Sequence, residues 1–488
     1  MRPIGTCCLV LHSHLPWLPG HGTWPVGEEW LYQAWSQAYL PVTDLLERFA
    51  EEGRRDLLTL GVTPVLAAQL DDPDTLRNMH TWLGLWQLRA EEAAMSGDAH
   101  LRELARDEFR RAGRAQDLFA SRWRHGGTAV LRRIADAGVI ELLGGPLTHP
   151  FLPLLDDRVA RLALRAGMDD HMLRFGHRPA GIWSPECGYR TGLEELFADQ
   201  GVERFVVDGP ALSSAGRSPA TAWTVAGTNV AAFGRDDDLT RRIWAPDTGY
   251  PAGAHYRDFH TSDIASGFKP AQVTTPDCPP EAKAPYNAAA AHAAAEHDAD
   301  DFAERVRARL EHRAAELGRP GLAVVAVDTE LFGHWWHEGP VFLERLLRTL
   351  PDMDVRLATL RGAAEAGHVA GRVDPAPASW GRGKDYRTWN GEAVADIAEL
   401  NARVQRDLIT GVDRTGRTGV TRRPDLDELA RQALLTLSSD WAFMITSDSA
   451  ADYARTRAYG HAAAFDGVRT APPPVPPRPF PHLDARLL

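Results

Sequence analysis

The chain opens with an apolar run, Thr6 to Val10, that breaks into His12-Ser13-His14-Leu15-Pro16. A short continuous apolar run that ends in polar residues predicts a buried strand closed by a loop. The pattern returns at Leu57–Leu66, closed by Pro64, and at Val139–Leu143, Ala180–Trp183, Arg204–Val207 and Leu322–Val327. Apolar positions at helical spacing predict helices over 29–52, 158–175, 192–200, 299–318, 391–411 and 425–446, and several within 74–138. Residues 235–295 carry Gly, Pro, Asp and Tyr with little periodicity, which predicts a long irregular stretch of the kind that is functional or disordered. The Pro-rich tail from Ala471 reads as extended over the surface. Strands alternating with helices predict an α/β fold with a parallel sheet. Such folds place active sites at the C-terminal ends of their strands.

Three of those ends carry chemistry. His12 and His14 point the same way if the strand continues through them, which fits substrate hydrogen bonding, metal ligation or a structural cap of the loop. Glu186 lies in Trp183-Ser184-Pro185-Glu186-Cys187-Gly188-Tyr189, boxed by aromatic and cyclic side chains. A surface ion pair would explain it, but a nucleophile or general acid/base in a semi-apolar site fits the placement better. Asp328 closes the most apolar strand, ahead of Thr329-Glu330-Leu331-Phe332-Gly333-His334-Trp335-Trp336. Glu330 competes with it, or orients a neighbour. Two carboxyls from different strand ends suit glycoside chemistry, in which one attacks the anomeric carbon or activates water and the other protonates the leaving oxygen. A separation of about 5–5.5 Å would imply retention of configuration, and a larger one inversion.

Composition narrows the field. The chain has 488 residues, 44% hydrophobic and 25% charged, with a formal net charge of −12. That is globular composition, with no basic face for a polyanion, so no nucleic-acid partner is expected. No run reaches the ~18 apolar residues of a membrane span, and the first residues lack the features of a secretory leader, so a cytoplasmic protein is expected. The four cysteines lack the spacing of a disulfide framework or zinc ribbon and read as reduced packing residues. Fifteen tryptophans are an excess, and many flank the polar motifs, where flat indole faces suit sugar rings.

Taken in order, these segments resemble glycoside hydrolase family 57, and within it the α-1,4-glucan branching enzymes. The likeness rests on His12-Ser13-His14-Leu15-Pro16, Thr148-His149-Pro150-Phe151-Leu152-Pro153-Leu154, Trp183 to Tyr189, Asp328 to Trp336, Ser379-Trp380-Gly381 with Trp389-Asn390, and Ser438-Ser439-Asp440-Trp441. It implies an incomplete (β/α)7 barrel over 1–72 and 139–375, a helical insertion over 73–138, a C-terminal helical domain over 376–470 and a Pro-rich tail over 471–488. It implies a retaining double displacement without metal or cofactor, with Glu186 as nucleophile and Asp328 as acid/base. His12, His14, His149 and Asp440 would hold the sugar at subsite −1. Trp244, Trp389 and Trp441 would be stacking platforms, Tyr250 the tip of a mobile loop, and His334 and Trp335 further substrate contacts. The partner would be an α-1,4-glucan, and the protein a monomer or weak homo-oligomer. A 4-α-glucanotransferase or amylase of the same family, a metal-dependent deacetylase built on His12 and His14, and a non-catalytic glucan-binding protein are the competing readings.

Overall fold

The computed structural model describes residues 3–24, 26–275, 277–414, 422–468 and 479–488. Its ten strands are β1 (Gly5–Ser13), β2 (Leu58–Val62), β3 (Ile140–Leu143), β4 (Gly181–Ile182), β5 (Arg204–Val207), β6 (Ala222–Val225), β7 (Ala231–Gly234), β8 (Gly321–Asp328), β9 (Val355–Leu357) and β10 (Val369–Val373). They form two sheets. The first runs β3-β2-β1-β8, with β9 also paired to β1, and the second runs β10-β6-β7-β5-β4. All pairs are parallel except β6 with β7. A parallel bridge between Gly144 and Ile182 joins the sheets beyond β3. Across the far side, the Asp236 N–H donates to the Val324 carbonyl of β8 at 2.7 Å.

Parallel strands covered on both faces explain the unbroken apolar runs. Cys8 and Val10 of β1 pack with Val324 and Ala326 of β8, while Cys7, Leu9 and Leu11 face a separate core shared with the helices. The architecture is α/β with a helical C-terminal region, in which helices span Ala395–Arg414, Pro424–Thr436, Ser439–Thr446 and Ala451–Val468. Among the described residues, no helix is long and apolar enough to cross a membrane.

The structure departs from the sequence pattern in several places. The second strand stops at Val62, because Thr63 caps a helix whose first residue is Pro64, a position where a missing N–H costs nothing. The irregular stretch contains a helix over Asp237–Trp244, capped by Asp236. The helix expected from residue 299 begins at Ala288, capped by Asn287, because an alanine run has high helix propensity without any amphipathic period. The single helix expected over 425–446 is two, broken at Leu437–Ser438. Of the tail, 471–478 lie outside the described residues, and the rest is no surface strand. Phe480 and Leu483 are buried, and the Arg422 and Arg431 guanidiniums donate to the backbone carbonyls of Phe480, Pro481 and Leu483.

Candidate active site

Because β1, β3, β4 and β8 run parallel, their polar C-terminal ends gather on one side. His12 pairs in register with Asp328. One residue on, the Ser13 and Thr329 hydroxyls meet at 2.7 Å, and then the His14 N–H donates to Glu330 Oε1 at 3.1 Å. The two motifs are therefore zipped side by side.

Glu186 follows β4 in a tight turn. Its φ is 61°, and Cys187 follows at 51°, so both are left-handed; His149 is a third such residue, at 57°. Non-glycine residues held there cost of order 1–3 kcal/mol each, and they persist where the surroundings fix them. Here the fixing is visible. Glu186 Oε1 accepts from the Ser439 hydroxyl at 2.7 Å, and Oε2 accepts from Trp380 Nε1 at 2.5 Å. The Trp380 N–H returns to the Glu186 carbonyl at 2.8 Å. Both donors come from the C-terminal part of the chain.

Burial pushes the Glu186 carboxyl up to about 7, against the pull of those two donors. Burial also pushes Asp328 up, and the carboxylates of Glu330 and Glu186 push it further, well above the usual range. Glu330 is likewise raised by burial to about 7, though the Tyr39 hydroxyl and the His14 N–H both donate to it. Tyr39 belongs to a π-helical turn, Trp35–Tyr39, a local irregularity that often marks functional sites.

The histidines form a stack. His12 lies 4.4 Å from the Trp183 ring, and His14 lies 3.8 Å from His149. His12 Nε2 meets His149 Nε2 at 3.1 Å, and His149 Nδ1 meets the Ser439 hydroxyl at 2.9 Å. His14 spans Thr63 at 2.9 Å and Asp440 at 2.8 Å. Burial keeps His12 and His149 well below the usual histidine range. Burial would raise Asp440, but His14, with His149 and the Ser438 hydroxyl, outweighs it and the carboxyl is held at about 2. Donor atoms of His14, His149 and Asp440 lie within 4.8 Å of one another, a spacing that would admit a divalent ion. These atoms are already engaged with each other and with His12, Thr63, Ser438 and Ser439, so the trio reads as a hydrogen-bonded network.

The helix break at Leu437–Ser438 builds this corner. It docks on the loop after β3: Pro150 bridges Ser438, the Ser439 N–H donates to the His149 carbonyl at 3.0 Å, and Thr148 bonds the Leu434 carbonyl at 2.6 Å.

The structure thus brings together Glu186, Asp328, His12, His14, His149 and Asp440. His334 is buried, bonded to Gln37 at 3.2 Å, and borders a cavity with Trp335, Phe259, Lys269 and Trp86. Trp335 is 37% exposed and Trp244 is 52% exposed. Three expectations are corrected. Trp389 and Trp441 are buried and offer no open face: Trp389 stacks on Phe151 at 4.1 Å, and Trp441 bonds the Leu435 carbonyl beneath Arg457. Tyr250 is no loop tip. It is buried against Phe302 and Phe342, under Arg242, with its hydroxyl on Asp301 at 2.5 Å. An aromatic residue amid Gly and Pro looks like a loop tip in sequence, yet the same side chain can anchor that loop to the core.

Sequence reading also missed supporting residues. Ser439 lies inside a quoted motif, yet only its contact with Glu186 marks it out. Asp208, at the end of β5, pairs with Arg235 and Lys384, and Arg235 lies 5.5 Å from the Trp380 ring. Nothing local in the sequence links these three.

The profile of glycosyl hydrolase family 57 matches residues 8–374, and that of the 1,4-alpha-glucan branching enzyme C-terminal region matches 401–471. A probable 1,4-alpha-glucan branching enzyme of Mycobacterium tuberculosis is 49% identical over 480 residues, covering 94% of this chain and 91% of that one. The 1,4-alpha-glucan branching enzyme of Thermococcus kodakarensis is 30% identical over 94% of this chain and 73% of its own. The crystal structure of the family 57 branching enzyme of Pyrococcus horikoshii superposes with a TM-score of 0.90 at 28% identity, covering 96% of this chain and 90% of that one. With its strand-end carboxyls and its matched length, the chain belongs to glycosyl hydrolase family 57.

Proposed function

We propose that the protein is a 1,4-α-glucan branching enzyme. It cleaves an α-1,4 linkage and passes the released chain to a 6-hydroxyl, through a covalent glycosyl-enzyme with net retention. Glu186 is the nucleophile and Asp328 the acid/base. The observation that carries this reading is the pair itself: two buried carboxyls at the ends of β4 and β8, of which Glu186 is held by two hydrogen-bond donors while the carboxylates of Glu330 and Glu186 push Asp328 further up than burial alone. Such a split is what a site needs to hold one carboxyl ionised and the other protonated. Glu186 attacks the anomeric carbon while Asp328 protonates the departing glucan oxygen. Asp328 then takes the proton of the acceptor 6-hydroxyl as that oxygen displaces Glu186. His12, His14, His149 and Asp440 hold the −1 sugar, and the exposed faces of Trp335 and Trp244 meet the glucan.

The domain reading goes with it. Residues 1–72 and 139–375 make an incomplete (β/α)7 barrel of β1, β2, β3, β4, β5, β7 and β8, supported by the bridge at Gly144 and the Asp236–Val324 hydrogen bond. Residues 73–138 are a helical insertion, 376–470 a helical domain and 471–488 a tail. The relatives' names and the matched C-terminal region favour branching over amylase or 4-α-glucanotransferase activity.

The test is incubation with amylose, counting new α-1,6 linkages by proton NMR against new reducing ends. New 1,6 signals with few reducing ends are expected. Reducing ends alone would make the protein a hydrolase, and redistributed 1,4 chains alone a 4-α-glucanotransferase. EDTA should leave the rate unchanged; a loss that zinc restores would overturn the metal-free mechanism.

A further inference from the structure

We infer that His12, His149 and Ser439 form a one-way hydrogen-bond chain ending on Glu186, with Ser439 the positioning residue that holds the nucleophile ionised and aimed. The inference rests on Glu186 being the nucleophile.

The direction follows from counting protons. An ionised carboxylate only accepts, and a serine hydroxyl has one proton to give. That proton goes to Glu186 Oε1 at 2.7 Å. The Ser439 oxygen can then meet His149 Nδ1, at 2.9 Å, only if that nitrogen carries the hydrogen. Burial keeps His149 neutral, so its single N–H is spent there and its Nε2 is bare. The bare nitrogen faces His12 Nε2 at 3.1 Å, which must be the donor. His12, also neutral, is left with a bare Nδ1.

The chain ends there for a visible reason. His12 Nδ1 is buried and, among the described residues, has no hydrogen-bond partner. It faces Gly61, where an added Cβ would lie 3.4 Å from that nitrogen. The opposite polarity would need a protonated Glu186 and would leave an N–H, not a lone pair, buried at that wall. Orphaned buried N–H groups are the rarer of the two. The dead end at Gly61 therefore biases the whole chain toward donation to Glu186.

Other groups act on the same carboxyl. His14 faces it from the loop after β1, His149 from the loop after β3, Asp328 from β8 and Asp440 from the helix at 439–446. Arg235, Asp208 and Lys384 lie behind it, around Cys187. Trp380 holds the second oxygen, at 2.5 Å. Among the described residues, Ser439 is thus one of two side-chain donors on Glu186, and the one whose hydrogen bond to His149 ties it to the −1 histidines.

The experiment measures kcat/KM on amylose across pH for the wild type, Ser439→Ala, Ser439→Thr and Glu186→Gln, with thermal melts as a check on folding. This ratio reports ionisations of the free enzyme. Removing a donor to the ionised form raises a carboxyl, so Ser439→Ala should move the acidic limb up by about one pH unit. Ser439→Thr should restore it. A folded Ser439→Ala enzyme that is slower with its limb unmoved would overturn the chain. Should the alanine variant not fold, the wild type still decides: 15N histidine shifts should place the proton on Nδ1 of His149 and on Nε2 of His12, and the opposite tautomers would overturn it. Full activity in Glu186→Gln would instead break the nucleophile reading, independently of either result.

Discussion

Glu186 and Glu330 are both buried glutamates pushed to about 7 by burial, and both sit just past a strand end. Their surroundings separate them. Glu330 takes its donors from the start of the chain: the Tyr39 hydroxyl, on the π-helical turn, and the backbone N–H of His14, just past β1. Glu186 takes its donors from Trp380 and Ser439, which come from the far end of the chain, and Ser439 also contacts His149. One carboxylate is tied into the frame, and the other is held between two parts of the molecule, in left-handed backbone. A raised carboxyl marks a buried site, and its partners say whether it braces that site or works in it.

The sharpest way to break the comparison is Glu186→Gln. It should cost more than about 10⁴ in turnover, past the usual range for general acid–base groups alone, while glucan binding by affinity electrophoresis persists. Asp328→Asn should follow with a loss of about 10²–10⁴ and erase the basic limb of the pH–rate profile. Glu330→Gln should cost only about tenfold, since it removes a brace, but it removes a like charge beside Asp328. Asp328 would then fall, and the basic limb should move to lower pH; an unmoved limb would mean that Glu330 does not act on Asp328.

The tryptophans divide in the same way. Trp389→Ala should destabilise the fold by about 3–5 kcal/mol in denaturant melts, as loss of a buried indole does. Trp335→Ala should leave stability alone and raise KM roughly threefold to tenfold, in line with ~0.5–1.5 kcal/mol for an aromatic stack. The smallest effect belongs to Tyr250→Phe: about 1 kcal/mol of stability from the lost bond to Asp301, with the transfer-to-hydrolysis ratio unchanged. A changed ratio would return Tyr250 to the mechanism.

What was legible in sequence follows a physical divide. Parallel strands buried on both faces announce themselves as apolar runs, and the polar residues closing them mark the site, so β1, β3, β4, β5 and β8 and the groups at their ends could be read directly. Short or half-exposed strands such as β6 and β10 carry no such run. The break at Leu437–Ser438 lies inside a stretch with unbroken helical periodicity, because only docking on the His149 loop ends the helix there. Trp389, Trp441 and Tyr250 show a second limit. An aromatic residue beside a polar motif has one signature whether it faces a sugar or its own core.

The long span between partners also has a consequence for folding. Ser439 meets Glu186 across 253 positions, and His14 meets Asp440 across 426. Contacts this distant along the chain carry the loop-closure entropy that slows folding. The pairing of β1 with β8 is as distant, with Ser13 meeting Thr329 across 316 positions, so the Glu186 carboxyl is held only once both the sheet and the corner at Ser438 have closed. A chain refolding from denaturant should therefore recover its helical circular dichroism first and its activity last, so a half-folded molecule does not cut the glucan around it.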